Sequence, residues 1–524
     1  MDVRVELEEW GPNVATVERL SRRFLEHGRL REHLRDARHR ILAFELLDSG
    51  EKTKRPTPPR QFRSVVYDYT NNRTLLVNGP IAGDNLEQLE VVESSTQPLP
   101  NEEEFQEAVS ILANDPEIGP GIREGVIQPY RPMPPLIFAE LPDGRIERTL
   151  GVGLRSEGDG PRHRLVGVNM IKREVLSDIP GVFRPSDNDC GPPASGGCEQ
   201  TSAPGQVRVR VRQGRTVLWT FVLVRPSASS GTNGSGVELR YLDYRGKRVL
   251  YRAHVPILNI EYFQDGIDAD CGPTYRDWQN AENCFEANGQ DFTPGFRLCP
   301  DPAKTILDSG SDAGNFAGVA IYVEGQEVVM VSEMEAGWYR YISEWRLHVD
   351  GTIRPRFGFA ATDNRCTCSD HHHHVYWRLD FDIRSAGNNV AEEFNDLPLS
   401  GGSNWHTKRF EVRRPRDNGR KRKWRVRNTE TNEGYELVPG PNDGDADTYG
   451  VGDLWVLRYR GTELDDGQGF TSDPIESRAK IDRFVNGELV EDTDVVLWYS
   501  GHFRHSPHGH GSHIVGPDLV PFNW

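Results

Sequence analysis

From Gln206 onward, apolar and polar residues alternate in run after run, as in QVRVRVRQGRTVLWTFVLV, GVELRYLDYRGKRVLYRAHV and KWRVRNTETNEGYELVPG. Turn signals separate the runs, and a helical period is almost absent. Alternation of period two turns one side of an extended chain toward a core and the other toward water. Residues 206–524 are therefore predicted to form a large antiparallel β-sandwich rather than an up-and-down barrel.

The first part of the chain reads differently. Val14 to Phe44 begins as a helix with apolar spacing near 3.6, and Gly28 is a plausible stop. The run RSVVYDYTNNRTLLVNG then places an Asn-Asn turn between two β-branched or aromatic stretches, as a hairpin does. The pattern restarts in LPNEEEFQEAVSILANDPEI, an amphipathic helix with acidic residues in its first turn, followed by strands around RIERTLGVGLR and RHRLVGVNMIKREVL. Residues 180–205, rich in Gly, Pro, Ser and Asp, read as a linker. The expected organisation is a first α+β domain over 1–95, a second over 96–179, the linker, and the all-β domain.

A chain of 524 residues supports several such cores. Lys and Arg total 62 against 79 Asp and Glu, and the formal charge of -17 disfavours nucleic acid as a partner while tolerating cationic ligands. The N-terminal MDVRVELEEWGPN lacks a basic stretch followed by an apolar run, and no segment is apolar enough to span a bilayer, so a soluble, cytoplasmic protein without a membrane partner is expected. Seven cysteines, an odd number, do not suggest a disulfide framework. Cys190 and Cys198 either pair locally or stay free thiols. The basic run RRPRDNGRKRKWR reads as a solvated hairpin turn.

The stretch Ser369 to Ile383, SDHHHHVYWRLDFDI, carries the chemistry. On a strand, residues i and i+2 share a face, so His371 and His373 can meet one metal while His372 and His374 point away. Imidazole suits copper, zinc, iron or nickel; the alternative is a His-rich surface loop.

HHHVYWRLDFDI resembles the segment of copper amine oxidases in which an H-x-H pair precedes a strand bearing R-L-D. Counted back from Arg378, the family's first two copper ligands fall on His371 and His373. WRVRNTETNEGYELVPG and DLWVLRYRGTEL are similar to successive family segments. FVNGELVEDTDVVLWYSGHFRHSP resembles the region of the third copper histidine, which falls on His505, with His502 as the fallback. The closing LVPFNW is similar to the family's C-terminal motif.

The resemblance implies two small cystatin-like α+β domains ahead of the β-sandwich, a homodimer, and a copper-dependent oxidoreductase. VVMVSEMEAGWYRYISEWRLHVDGTI is similar to the stretch holding the tyrosine that copper and dioxygen oxidise to trihydroxyphenylalanine quinone (topaquinone), which acts on a primary amine. That residue is Tyr339. Its neighbours depart from the family: Trp338 fills space beside the ring, and Arg340 repels a substrate ammonium. For the catalytic aspartate of the family's F-D-x-G segment, YRDWQNAENCFEANG offers Glu286, with Glu282 or Asn280 in other registers; an amide cannot act as a base. Asp380, Asp382 and Asp494, with the carbonyls of Phe381 and Val495, correspond to a second site for calcium or manganese. Cys366 and Cys368, without a family counterpart, could add a Cu(I) or Zn site, deliver copper, or simply lie in a strand-entry loop.

The function implied is oxidation of a primary amine to an aldehyde with release of ammonia and hydrogen peroxide. Two alternatives stand beside it: another O2-dependent oxidation by a divergent copper enzyme, and a non-catalytic copper-binding scaffold.

Overall fold

The computed structural model describes residues 3–48, 52–53, 55–81, 88–94, 96–133, 135–137, 146–156, 163–176, 190–194, 198, 204–262, 274–368, 370–469, 471, 473–505 and 513–524. Two large sheets dominate, one of ten strands and one of twelve, accompanied by two four-stranded sheets. The fold is α+β in its N-terminal part and a β-sandwich beyond it.

The alternation translates directly into burial. In the strand Gln206–Gln213, Val207, Val209 and Val211 are buried in the main core, while Arg208, Arg210 and Arg212 turn outward. Those arginines meet Glu6 and Glu8 of the strand Val3–Glu9, which pairs with Gln206–Gln213 along its whole length. The first strand thus forms an edge of the ten-stranded sheet rather than part of the first small unit. Trp219, Trp345, Trp377 and Trp424 fill the space between the two large sheets.

Each four-stranded sheet is preceded by helices. Asn13 caps the helix Val14–Glu26 by accepting from the Thr16 amide at 3.0 Å, and Val17, Leu20 and Phe24 bury one face. That helix stops just before Gly28, as expected, and Gly28 opens a second short helix, Gly28–His33. The Asn-Asn turn does join a hairpin, Gln61–Asp68 with Arg73–Pro80. In the second unit the helix Glu102–Ala113 is capped by Asn101 and buries Glu104. That carboxylate receives Arg148 Nε at 2.6 Å and the Tyr69 hydroxyl at 2.7 Å, which locks the two small units together through a desolvated ion pair. Most of the proposed linker lies outside the described residues.

Cysteines organise this architecture more than their odd number suggests. Cys190 bonds Cys368 and Cys198 bonds Cys284, so the local Cys190–Cys198 pair does not form. Cys366 is also disulfide-bonded, and Cys299 is free and buried. Cys366 and Cys368 are therefore not thiolate ligands and cannot hold or deliver copper as such. The Cys190–Cys368 bond instead fixes the chain just before the histidine strand.

Candidate metal and redox site

The histidines begin an eleven-residue strand, His371–Phe381, in the middle of the ten-stranded sheet. On one side it pairs antiparallel with Val495–His505, placing His505 opposite His371; on the other it pairs with Lys247–Tyr262, placing Tyr262 opposite His371. His371 and His373 share a face, as period two requires. Their ring centroids lie 4.8 Å apart, and that of His505 lies 4.5 Å from His371 and 6.3 Å from His373. His502, three residues before His505, faces the other way and bonds His374, so His505 joins the cluster and His502 does not.

The cluster has the chemistry of a soft-to-borderline metal site. Burial above all, with the neighbouring imidazoles adding, holds His373 well below the ordinary histidine range; burial takes His505 down to about 4. Both rings are thus neutral near pH 7, as a metal ligand must be. Nδ1 of His373 and Nδ1 of His505 are buried without a hydrogen-bond partner. Buried polar atoms ordinarily find one, so these lone pairs fit a metal such as copper.

Tyr339 arrives from the opposite sheet. It opens the strand Tyr339–His348, and its ring lies 4.9 Å from His373 and 5.7 Å from His371, between centroids. Its hydroxyl is hydrogen-bonded to that of Tyr262, which also accepts Trp338 Nε1–H at 3.0 Å. Two residues on, Tyr341 stacks on Tyr339 at 5.4 Å and donates its hydroxyl to Asp277 Oδ2 at 2.5 Å. Asp277 is fully buried, its Oδ1 has no hydrogen-bond partner, and burial pushes its carboxyl well above the usual range.

Residues 357–512, which contain the three histidines, match the family model for the copper amine oxidase enzyme domain. That stretch, 156 of the 524 residues, is similar to the copper amine oxidases. The fold of the chain is similar to that of the Pichia pastoris lysyl oxidase, at 12% identity and a TM-score of 0.58, over 99% of this chain and 90% of that one. The copper-containing benzylamine oxidase of Hansenula polymorpha is 14% identical with a TM-score of 0.56, covering 99% and 94% of the two chains. The Aspergillus nidulans amine oxidase gives the same identity and TM-score over 99% and 89%. No curated protein matches the sequence.

Several other expectations change in three dimensions. Arg340 does not point at Tyr339. Alternation turns it to the other face of the strand, where Asp312 binds it at 2.7 and 3.0 Å, so its charge is neutralised away from the ring. Glu286 is only half-buried and paired with Lys304 at 3.2 Å, and it lacks the full burial that tunes a base. Glu282 is buried, but both of its oxygens are held by Arg225. Neither carboxylate stands with the tyrosine cluster. The residue that does, Asp277, lies in the same YRDWQ stretch without the F-D-x-G flanks, and Tyr262 carries no motif at all.

The largest departure concerns the second cation. Asp380, Asp382 and Asp494 do converge, and their oxygens could hold an ion. Lys52 Nζ already sits among them, at 2.6, 3.0 and 2.7 Å, with the Tyr459 ring 3.7 Å away. An internal ammonium stands where calcium or manganese was expected. Burial pushes Asp382 up to about 6 and Asp494 up to about 7; the Asp380 charge adds to both and Lys52 pulls the other way.

Proposed function

We propose that the protein is a copper-dependent amine oxidase in which His371, His373 and His505 hold copper beside Tyr339. The observation that carries this reading is the Tyr339 ring packed against His373, on the strand face that also carries His371, with the His505 ring beside His371. Copper with dioxygen supplies oxidation of the Tyr339 phenol to a quinone, the electron acceptor for converting a primary amine, water and O2 to an aldehyde, ammonia and hydrogen peroxide.

The chain's own residues then have defined work. Tyr262 holds the Tyr339 oxygen, and Trp338 fixes Tyr262 by donating to it. Asp277 takes the proton from the substrate carbon next to nitrogen, and Tyr341 holds the carboxyl in place. A carboxyl raised by burial is suited to that task, because its affinity for a proton approaches what the transfer demands. We also propose the homodimer that the resemblance implies. The disulfides favour an oxidising compartment over the cytoplasm expected from the sequence.

One observation favours a different oxidation with Tyr339 left as tyrosine: the ring is only 1% exposed, and Trp338 occupies the space beside it. Oxygen uptake and peroxide release by copper-loaded protein, with and without benzylamine and other primary amines, separate the readings. Amine-dependent uptake supports the proposal. Uptake without amine dependence supports the other oxidation, and no uptake leaves a copper-binding scaffold.

A further inference from the structure

The two histidines left over from the copper cluster sit on the reverse face of the same strand, and their surroundings are those of a second metal site. We propose that His372, His374, Asp447 and Glu261 bind a divalent transition-metal ion of the zinc class, with a structural role. One ligand atom from each of the four lies within 4.8 Å of all the others. Glu261 is the cross-strand neighbour of His372. Asp447 Oδ2 stands 3.2 Å from His372 Nδ1 and 4.0 Å from His374 Nε2. These spacings bracket the edge of about 3.3 Å that a tetrahedron with zinc–ligand arms of about 2.0–2.1 Å requires.

Three features show that the donors are aimed rather than merely adjacent. First, Asp447 Oδ1 accepts the amides of Tyr449 and Gly450 at 2.8 and 2.5 Å, which fixes the carboxylate and leaves Oδ2 for the site.

Second, His374 is 1% exposed, and its Nε2 has no hydrogen-bond partner. The tautomer follows from its neighbours. A carbonyl can only accept, so His502 Nε2 donates to Gly452 O at 3.0 Å, with Asp453 Oδ1 3.3 Å from the same nitrogen; when the His502 ring is neutral its Nδ1 carries a lone pair. That lone pair accepts from His374 Nδ1–H at 2.9 Å, which leaves the His374 Nε2 lone pair directed at Asp447. A ligating histidine whose second nitrogen is fixed by such a bond is the usual arrangement around a metal.

Third, the loop lies too close to His374 for any side chain: a Cβ at Gly450 would come within 2.0 Å of His374 Nδ1.

Two neutral imidazoles and two carboxylates balance a divalent ion, and four protein donors close the coordination sphere as in structural zinc sites. The ion would fasten the loop carrying Asp447 to the strand that carries the copper ligands on its other face. This site needs neither copper nor a modified Tyr339.

The test uses full-length, chelator-treated protein in a His373→Ala background, which removes the first cluster, with Co(II) as the optical probe. One equivalent of tightly bound Co(II) with a tetrahedral visible spectrum is expected. Asp447→Asn and Glu261→Gln should each weaken it by about 10–100-fold without changing the far-ultraviolet dichroism. Absence of a bound equivalent, an octahedral spectrum, or an affinity that neither substitution moves would overturn the proposal. Because Glu261→Gln preserves shape and lies on the neighbouring strand, it remains informative if the loop variant folds poorly.

Discussion

The two ends of the strand region 371–382 hold donor sets of metal type, yet they resolve their charge in opposite ways. At the start, His371 and His373 gather with His505; burial holds His373 and His505 below the ordinary histidine range, and the buried Nδ1 atom of each has no protein partner. At the far end, Asp380 and Asp382 with Asp494 gather carboxylates, and the chain brings Lys52 to all three. Matching ligand types in matching positions therefore does not establish a metal. What decides is whether the protein has supplied its own counter-charge, because a desolvated cluster of like charges must be neutralised by something.

The most severe way to break the comparison is to remove the open end. His373→Ala should abolish stoichiometric copper binding at this face and any oxidation of Tyr339, measured by metal analysis and peptide mass. Next comes Asp277→Asn, which keeps shape and removes the proton acceptor. Amine turnover should fall by about 10²–10⁴-fold while copper binding and Tyr339 modification persist.

Lys52→Met attacks the closed end. Leaving its buried carboxylates without a counter-charge should cost on the order of 3–5 kcal/mol in chemical denaturation near neutral pH. The variant, unlike the parent, should recover stability when calcium is added.

The pH dependence of the parent sharpens the same point. Asp382 and Asp494 have folded-state values raised to about 6 and about 7, so the folded chain binds their protons more tightly than the unfolded chain does. Their contribution is fully present below the ordinary carboxylate range and is lost as pH rises through about 6 and about 7. Loss of Lys52 should deepen that decline, because its ammonium opposes the upward shift.

The smallest expected effect is that of Glu286→Gln. Its pair with Lys304 is exposed, so stability should change by no more than about 1 kcal/mol and amine turnover should not change.

Sequence alone made much of the open end legible. Alternation along HHHHVYWRLDF sorts the imidazoles into faces, and the same parity separates His505 from His502 once their strand is recognised. The strands of the sandwich were legible for the same reason. Lys52 was not, because it reaches Asp380 from 328 residues away and no local pattern marks it. The Cys190–Cys368 bond spans 178 residues and was equally hidden. Asp277 was masked by a different cause: it lacks the F-D-x-G flanks, and only the fold brings it to Tyr341. Trp338 and Arg340 looked alike as departures from the family, yet period two puts Trp338 within bonding reach of Tyr262 and turns Arg340 to Asp312.

The central claim is that the three histidines hold copper where it oxidises Tyr339. Its most direct test begins with copper-free protein, adds Cu(II) in air, follows the visible spectrum, weighs the peptide containing residue 339, and treats a parallel sample with phenylhydrazine. A visible chromophore, a hydrazone, and a Tyr339 peptide that has gained two oxygens and lost two hydrogens are the expected result. Copper bound at full stoichiometry beside an unmodified Tyr339 would contradict it.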